Sequence, residues 1–173
     1  LSSGGLHVDG FLDACDGLLG GSTPDSRLAI MHDHRIGAFA FCGGLLLFLV
    51  KFTALTALTT RQLPALLLAP VLGRWVMSLA VVVFPYARPQ GLGKDLKGHS
   101  GWQQAALATA IALTVAWFSA GLRGLVSILI ALLVASGIVR FTLKRIPGLT
   151  GDIYGALNES IEVVVLLAFC SLR

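Results

Sequence analysis

Long apolar runs separated by short polar segments dominate the chain. Five runs reach or approach the roughly 20 residues that a helix needs to cross a bilayer at 1.5 Å per residue. The predicted spans are A, Ile36–Ala57; B, Leu63–Phe84; C, Ala105–Leu122; D, Leu125–Phe141; and E, Ile153–Leu172. The linkers A–B and C–D are tight, whereas B–C and D–E are longer and polar.

Two shorter helices are predicted before span A. Thr23-Pro24-Asp25 indicates a helix start, with Thr23 as N-cap, Pro24 at the first helical position and an acid in the first turn. The segment Val8–Leu19 is also predicted to be helical. The stretch Gly91–Lys97 in the B–C linker indicates a flexible basic loop near an anionic substrate or anionic lipid headgroups.

Composition agrees with a membrane protein. Of 173 residues, 55% are hydrophobic and 13% are charged, against about 25% charged residues in soluble domains. This argues against a soluble enzyme, a nucleic-acid-binding module and a disordered tail. We predict an all-α, polytopic membrane helical bundle of about five spans, forming one catalytic domain over residues 1–173. The first residue is Leu1, and we expect the N-terminal part of the parent protein to be missing.

The charges divide between the two faces of the membrane. With strictly alternating spans, eight Lys and Arg residues fall on the face that holds the segment before A and the linkers B–C and D–E, and three fall on the other. The positive-inside rule makes the first face cytoplasmic. The acids outside the spans and all four histidines lie there too, which favours chemistry at the cytoplasmic face.

An acidic stripe stands on the first helix. Asp9, Asp13 and Asp16 are spaced i, i+4 and i+7, so they lie within about 60° of one another on a helix. Such carboxylates repel one another unless a cation lies between them. Oxygen ligands favour Mg²⁺, Mn²⁺ or Ca²⁺. A solvated acidic helix face is the alternative.

Charged residues also lie inside the predicted spans. Arg74 is near the middle of span B, and Glu159 and Glu162 are in span E; Asp152 lies directly before span E. Intramembrane charges are costly and are typical of functional sites. A structural ion pair between Arg74 and Glu162 is the alternative. Lys51, toward the far end of span A, is expected to extend to the membrane interface.

Further candidates surround these groups. Asp33 could add a metal ligand, and Arg35 could hold a phosphate; interfacial charge is the alternative for both. The residues by themselves indicate a Mg²⁺-dependent membrane transferase acting on a pyrophosphate-linked substrate, or an ion transporter.

Four short sequence blocks, taken in their order along the chain, resemble those of a known family. They are Gly5–Gly17 (GLHVDGFLDACDG), Ile30–Phe39 (IMHDHRIGAF), Ala69–Trp75 (APVLGRW) and Gly148–Ala156 (GLTGDIYGA). Together they resemble the cobalamin synthase family, the adenosylcobinamide-GDP ribazoletransferases. The acidic motif is also similar to that of CDP-alcohol phosphotransferases of phospholipid synthesis, which are the alternative, with an ion transporter less favoured.

The resemblance implies a reaction and its setting. The 3′-hydroxyl of α-ribazole, or of its 5′-phosphate, attacks the cobinamide-bound phosphate of adenosylcobinamide-GDP, and GMP leaves. Adenosylcobalamin or its 5′-phosphate forms, in the last steps of cobalamin biosynthesis. The resemblance further implies Mg²⁺ as cofactor and a multi-pass position in the cytoplasmic (inner) membrane of a prokaryote. Expected partners are membrane lipids and a second copy or other cobalamin-assembly enzymes, with no nucleic acid.

We assign expected roles on this basis. Candidate catalytic residues, including the general base, are Asp13, Asp16 and His7. Candidate Mg²⁺ ligands are Asp9, Asp13, Asp16, Asp33 and Asp152. Candidate phosphate- or substrate-binding residues are Arg35, Arg74, Lys94 and Glu159.

Overall fold

The structure is a computed structural model, which describes residues 5–89 and 92–171. Within these ranges the chain forms helices and no strand, with one isolated bridge between Tyr86 and Leu149. The helices are α1 (Leu6–Gly20), α2 (Pro24–Ile30), α3 (Ala38–Ala57), α4 (Pro64–Val83), α5 (Leu92–His99), α6 (Trp102–Leu143) and α7 (Gly151–Ser171), with a 3₁₀ turn (Thr60–Gln62) before α4. Leu172, the predicted end of span E, lies outside the described residues.

Among the described residues, four helical segments are long and apolar enough to cross a membrane. They are α3, the segment Thr60–Val83 that includes α4, α6 and α7. The all-helical, polytopic prediction is therefore confirmed. The helix α3 exposes large apolar side chains, such as Phe41 and Phe52, along most of its length, as expected of a helix that faces lipid.

The 42-residue α6 contains a reversal of the chain. Gly121 has φ 55° and ψ −130°, which is not helical. A Cβ on Gly124 would lie 2.1 Å from the Ala116 carbonyl oxygen, although eight residues of a straight helix span about 12 Å. Residues 102–120 and 122–143 therefore pack as two antiparallel arms, which correspond to the predicted spans C and D.

The helix α7 lies at the centre of the bundle. About 61% of its apolar window is buried, against 22% for α3, and α1, α3, α4 and α6 all pack on it. Glycines allow the closest approaches, since a Cβ on Gly73 of α4 would lie 2.6 Å from Asn158 Oδ1. The described parts of α3 and α4 approach each other closely at few points, if any.

The short helices pack around this core. Thr23 caps α2 as predicted, since its hydroxyl accepts a hydrogen bond from the Ser26 N–H. The expectation of a flexible basic loop in the B–C linker is wrong, because α5 forms there. Lys97 Nζ of α5 donates to the carbonyls of Val81 (2.9 Å) and Phe84 (2.6 Å) at the end of α4, which anchors the short helix. The predicted loop's first residue, Gly91, lies outside the described residues.

Candidate active site

The crossing of α1 and α7 brings acidic residues of both helices together. A Cβ on Gly10 would lie 3.0 Å from the Asp152 Cα, and a Cβ on Gly155 would lie 2.8 Å from the His7 carbonyl oxygen. Only glycines permit backbones this close, and the contact places Asp152 beside the α1 acids. Burial, together with the charges of Asp152 and Asp9, raises the pKa of Asp13 to about 6.

Arg88 supplies the positive charge at this crossing. Its Nη2 donates to Asp152 Oδ2 at 2.8 Å, and the Thr150 hydroxyl donates to the same oxygen at 3.2 Å. Two backbone hydrogen bonds hold the Arg88 loop against the segment before α7, from Ala87 N to Leu149 O and from Leu149 N to Pro85 O. In the sequence, Arg88 is one of the positive charges of the B–C linker that set the predicted orientation in the membrane. No motif in the sequence marks it as a site residue.

A cavity of about 230 Å³ opens beside these groups, between α1, α5, α7 and the Arg88 loop. His7, Asp9, Arg88 and Asp152 line it together with Tyr154. Among the described residues, His7 Nδ1 and Tyr154 Oη are buried without a hydrogen-bond partner. Burial, with the charge of Arg74, lowers the pKa of His7. The imidazole is therefore neutral at pH 7 and able to accept a proton.

Asp16, predicted as a metal ligand and catalytic residue, accepts hydrogen bonds from the backbone, and those two roles stay predictions. Its two carboxylate oxygens accept hydrogen bonds from Gly37 N (2.6 Å) and Ala40 N (2.8 Å), at the start of α3. The side chain caps α3 and joins it to α1, because the first N–H groups of a helix have no partners within it. Both oxygens are thereby engaged.

Asp33 and Arg35 form an exposed pair just before α3. Arg35 Nη2 donates to Asp33 Oδ2 at 2.7 Å, and the hydrogen bonds from Arg35 lower the pKa of Asp33 to about 2. Lys94 of α5 is exposed and donates to the Pro89 carbonyl. The predicted roles of these three residues in binding metal or phosphate stay predictions.

A network of charged side chains links α3, α4 and α7 inside the membrane. Lys51 Nζ lies 2.5 Å from Glu159 Oε2 and 2.9 Å from Glu162 Oε2. Arg74 Nη1 lies 2.9 Å from Glu162 Oε1 and also donates to Asn158 Oδ1. The expectation that Lys51 extends to the interface is wrong, because the two acids of α7 bind it within the bundle. The ion pair between Arg74 and Glu162 is present.

The acids are less tightly gathered than the sequence suggests. Within the described ranges, no three His, Cys, Asp or Glu side chains are placed to hold one metal ion, so the five predicted ligands do not form a single set. Mg²⁺ commonly needs only one or two carboxylates, with water and substrate phosphates completing its shell. Asp9 and Asp13, one helical turn apart beside a cavity, fit that requirement.

The fold and the site define a class of protein: a polytopic membrane protein that gathers acids and an arginine around a cavity at one crossing of two helices. Comparisons with known proteins are more specific. The family model described as Cobalamin-5-phosphate synthase matches residues 1–170. The chain belongs to this family, which confirms the predicted resemblance.

Relatives named adenosylcobinamide-GDP ribazoletransferase cover nearly the whole chain. The protein of Desulforamulus reducens is 42% identical over 166 residues, covering 95% of this chain and 66% of the relative. Those of Pseudomonas fluorescens strain Pf0-1 and Brevibacillus brevis are 38% and 36% identical, covering 96% and 95% of this chain and 70% and 68% of the relatives. The chain thus spans about two thirds of their length. The name describes these relatives as transferases that act on adenosylcobinamide-GDP and a ribazole. No solved structure matches the chain.

Proposed function

We propose that the chain transfers the cobinamide-phosphate group of adenosylcobinamide-GDP to α-ribazole or α-ribazole 5′-phosphate. The acceptor's 3′-hydroxyl oxygen bonds to the cobinamide-bound phosphorus. The bond from that phosphorus to the bridging pyrophosphate oxygen breaks, and GMP leaves with that oxygen. The observation that carries the proposal is the cluster of Asp9, Asp152 and Arg88 around one cavity, with Asp13 close to them, in a chain of the cobalamin-5-phosphate synthase family.

The acids and Arg88 have separate roles in this proposal. Asp9 and Asp13 would hold Mg²⁺, which neutralises charge on the pyrophosphate when it is bound. Arg88 is held beside the acids by Asp152 and presents a planar donor group suited to a phosphate. Phosphoryl transfer depends mostly on positioning and charge neutralisation, and these residues supply both.

His7 is the general base in this proposal. Its Nδ1 is buried, lacks a hydrogen-bond partner among the described residues and belongs to a side chain that lines the cavity. A neutral imidazole can take the proton of the attacking hydroxyl as the new bond to phosphorus forms. Asp13 is the alternative base, since its raised pKa of about 6 suits proton transfer near neutral pH.

The proposed setting is the cytoplasmic side of a prokaryotic inner membrane. The excess of Lys and Arg on the face that holds α5 and the α6–α7 linker supports this orientation. The acid cluster lies near the Arg88 loop and the start of α7, which belong to the same face.

Release of GMP tests the proposed reaction. The purified full-length protein in liposomes is supplied with adenosylcobinamide-GDP, α-ribazole and Mg²⁺, and GMP is followed with time. Release that needs both α-ribazole and Mg²⁺, and that stops with EDTA, is expected. Asp13→Asn should abolish turnover and leave the protein folded. Asp25→Asn, which changes an exposed acid on α2, is the matched control and should retain activity.

Two outcomes contradict the proposal. Normal Mg²⁺-dependent rates in Asp13→Asn would overturn the role of Asp13. Absence of GMP release from a folded wild-type protein would overturn the reaction, and release of CMP from a CDP-linked alcohol would then identify the alternative class.

A further inference from the structure

A second, larger cavity lies between the helices of the bundle. It has a volume of about 790 Å³, is lined by α1, α3, α4 and α7, and is open on the side of Phe48 and Phe52, which are both more than half exposed. Its walls are mostly apolar and include two phenylalanine rings; they are formed by Phe48, Phe52, Leu55, Leu66, Pro70 and Leu166. Its size is that of a pocket for an organic ligand.

The intramembrane network forms the polar part of this cavity. Lys51, Arg74, Glu159 and Glu162 all line it, and they are bound to one another. Their formal charges cancel, and Asp9, which also lines the cavity, adds a negative charge. The cavity therefore offers hydrogen-bond donors and acceptors without net positive charge, a poor match for a pyrophosphate and a good one for an uncharged polar group.

Asp9 connects the two cavities. It lines the large cavity on one side and the smaller one beside Arg88 on the other. In phosphoryl transfer the attacking and leaving oxygens lie roughly in line, on opposite sides of the phosphorus. With the reacting phosphate at Asp9, one cavity would be available for the group that carries the attacking oxygen and the other for the group that leaves.

We infer that the large cavity binds the base and ribose of the acceptor nucleoside. The inference rests on the proposed function and extends it by assigning the acceptor to a place. The aromatic base packs on Phe48 and Phe52, and the ribose hydroxyls bond to the charged network. The attacking hydroxyl lies toward Asp9, where His7 takes its proton. His7 is within electrostatic range of Arg74 and Glu159 of the charged network. The leaving nucleotide's phosphate occupies the smaller cavity beside Arg88. The large cavity lies between α3 and α4, and its exposed lining residues Phe52 and Leu66 leave it open from the side for the acceptor.

Substitution of the aromatic wall tests the assignment. Phe48→Leu combined with Phe52→Leu keeps the wall apolar and leaves the charged network intact. Since stacking of a base on an aromatic ring contributes substantially to binding, the KM for α-ribazole should rise about tenfold or more. The KM for adenosylcobinamide-GDP should stay unchanged. Phe41→Leu, an exposed position on the same helix outside the cavity lining, is the matched control and should leave both KM values unchanged.

Equilibrium dialysis with labelled α-ribazole measures binding without turnover. Wild-type protein and Phe41→Leu should bind the label, and the double variant should bind it about tenfold more weakly. An unchanged acceptor affinity in the double variant, or a rise in the KM for the donor alone, would overturn the assignment. If the wild-type protein released no GMP, the proposed reaction would fail, and the dialysis would still decide whether this cavity holds the nucleoside.

Discussion

Asp13 makes the stability of the protein depend on pH. Its pKa of about 6 lies above the value near 3.9 of an unfolded chain. Protonation of Asp13 thus stabilises the folded state relative to the unfolded state. This stabilisation is fully present below the unfolded pKa. It is lost as pH rises through about 6, when a carboxylate must be held near Asp9 and Asp152.

The measurement is thermal unfolding in detergent with EDTA. We expect the melting temperature of the wild-type protein to fall between pH 5 and pH 7, and Asp13→Asn to show a smaller fall. Asp25→Asn should follow the wild type. Equal pH dependence in Asp13→Asn and the wild type would show that Asp13 has an ordinary pKa.

Asp16 is predicted from its contacts to act as a helix cap. Asp16→Ala removes both acceptors for the N–H groups of α3, a loss of about 0.5–2 kcal/mol. For a chain of this size, we expect the melting temperature to fall by about 2–4 °C per kcal/mol. Asp16→Asn keeps one acceptor oxygen and should melt between the wild type and Asp16→Ala.

Activity separates capping from metal binding at this position. Folded Asp16→Asn should retain Mg²⁺-dependent GMP release if the carboxylate only caps α3. Loss of that activity without loss of thermal stability would support the predicted role of Asp16 as a metal ligand.

The three acids of α1 show which features of the site can be predicted from residue spacing. The i, i+4, i+7 spacing correctly placed three carboxylates on one helix, and helical geometry alone makes them equivalent. Their environments differ because Asp16 meets the start of α3, whereas Asp13 faces Asp152 across a contact between distant parts of the chain. Arg88 joins the cluster for the same tertiary reason, so its spacing along the chain does not reveal its role.

At the scale of the helices, the reversal at Gly121 is open to direct test. Its positive φ is strained for any residue with a Cβ, and such strain costs about 1–3 kcal/mol. Gly121→Ala should lower the melting temperature by several degrees. Gly137→Ala is the matched control, since a Cβ there meets nothing within 4 Å and alanine favours a helix by about 1 kcal/mol over glycine. Equal melting temperatures of Gly121→Ala and the wild type would contradict the sharp reversal.

Hydrophobic runs predicted the long helices to within a few residues. Span A was expected at Ile36–Ala57 and α3 is Ala38–Ala57; span B was expected at Leu63–Phe84 and α4 is Pro64–Val83. Burial in lipid demands length and apolarity, which the sequence displays directly. The helix α5 was missed because its glycines are poor helix formers, and its anchor, Lys97 on the end of α4, is a tertiary contact.

For the whole molecule, the orientation in the membrane is the main prediction. In a chain whose three native cysteines are replaced by serine, Arg61→Cys and Arg123→Cys should react with an impermeant maleimide added to intact cells. His99→Cys and Lys144→Cys should react only after the membrane is opened. The reverse pattern would place the acid cluster outside the cytoplasm.

The crossing of α1 and α7 has a consequence for biosynthesis. Gly10 and Asp152, which touch at the crossing, are separated by some 140 residues, so the ribosome makes one side of the site almost at the start of the described chain and the other near its end. The acids of α1 can form the site only after α7 has been synthesised, because α7 provides Asp152 and the glycine surface on which α1 packs. Nascent chains that stop before α7 therefore carry the acids of α1 and Arg88 but no assembled active centre, and quality control by proteolysis can remove them without any loss of catalysis to the cell.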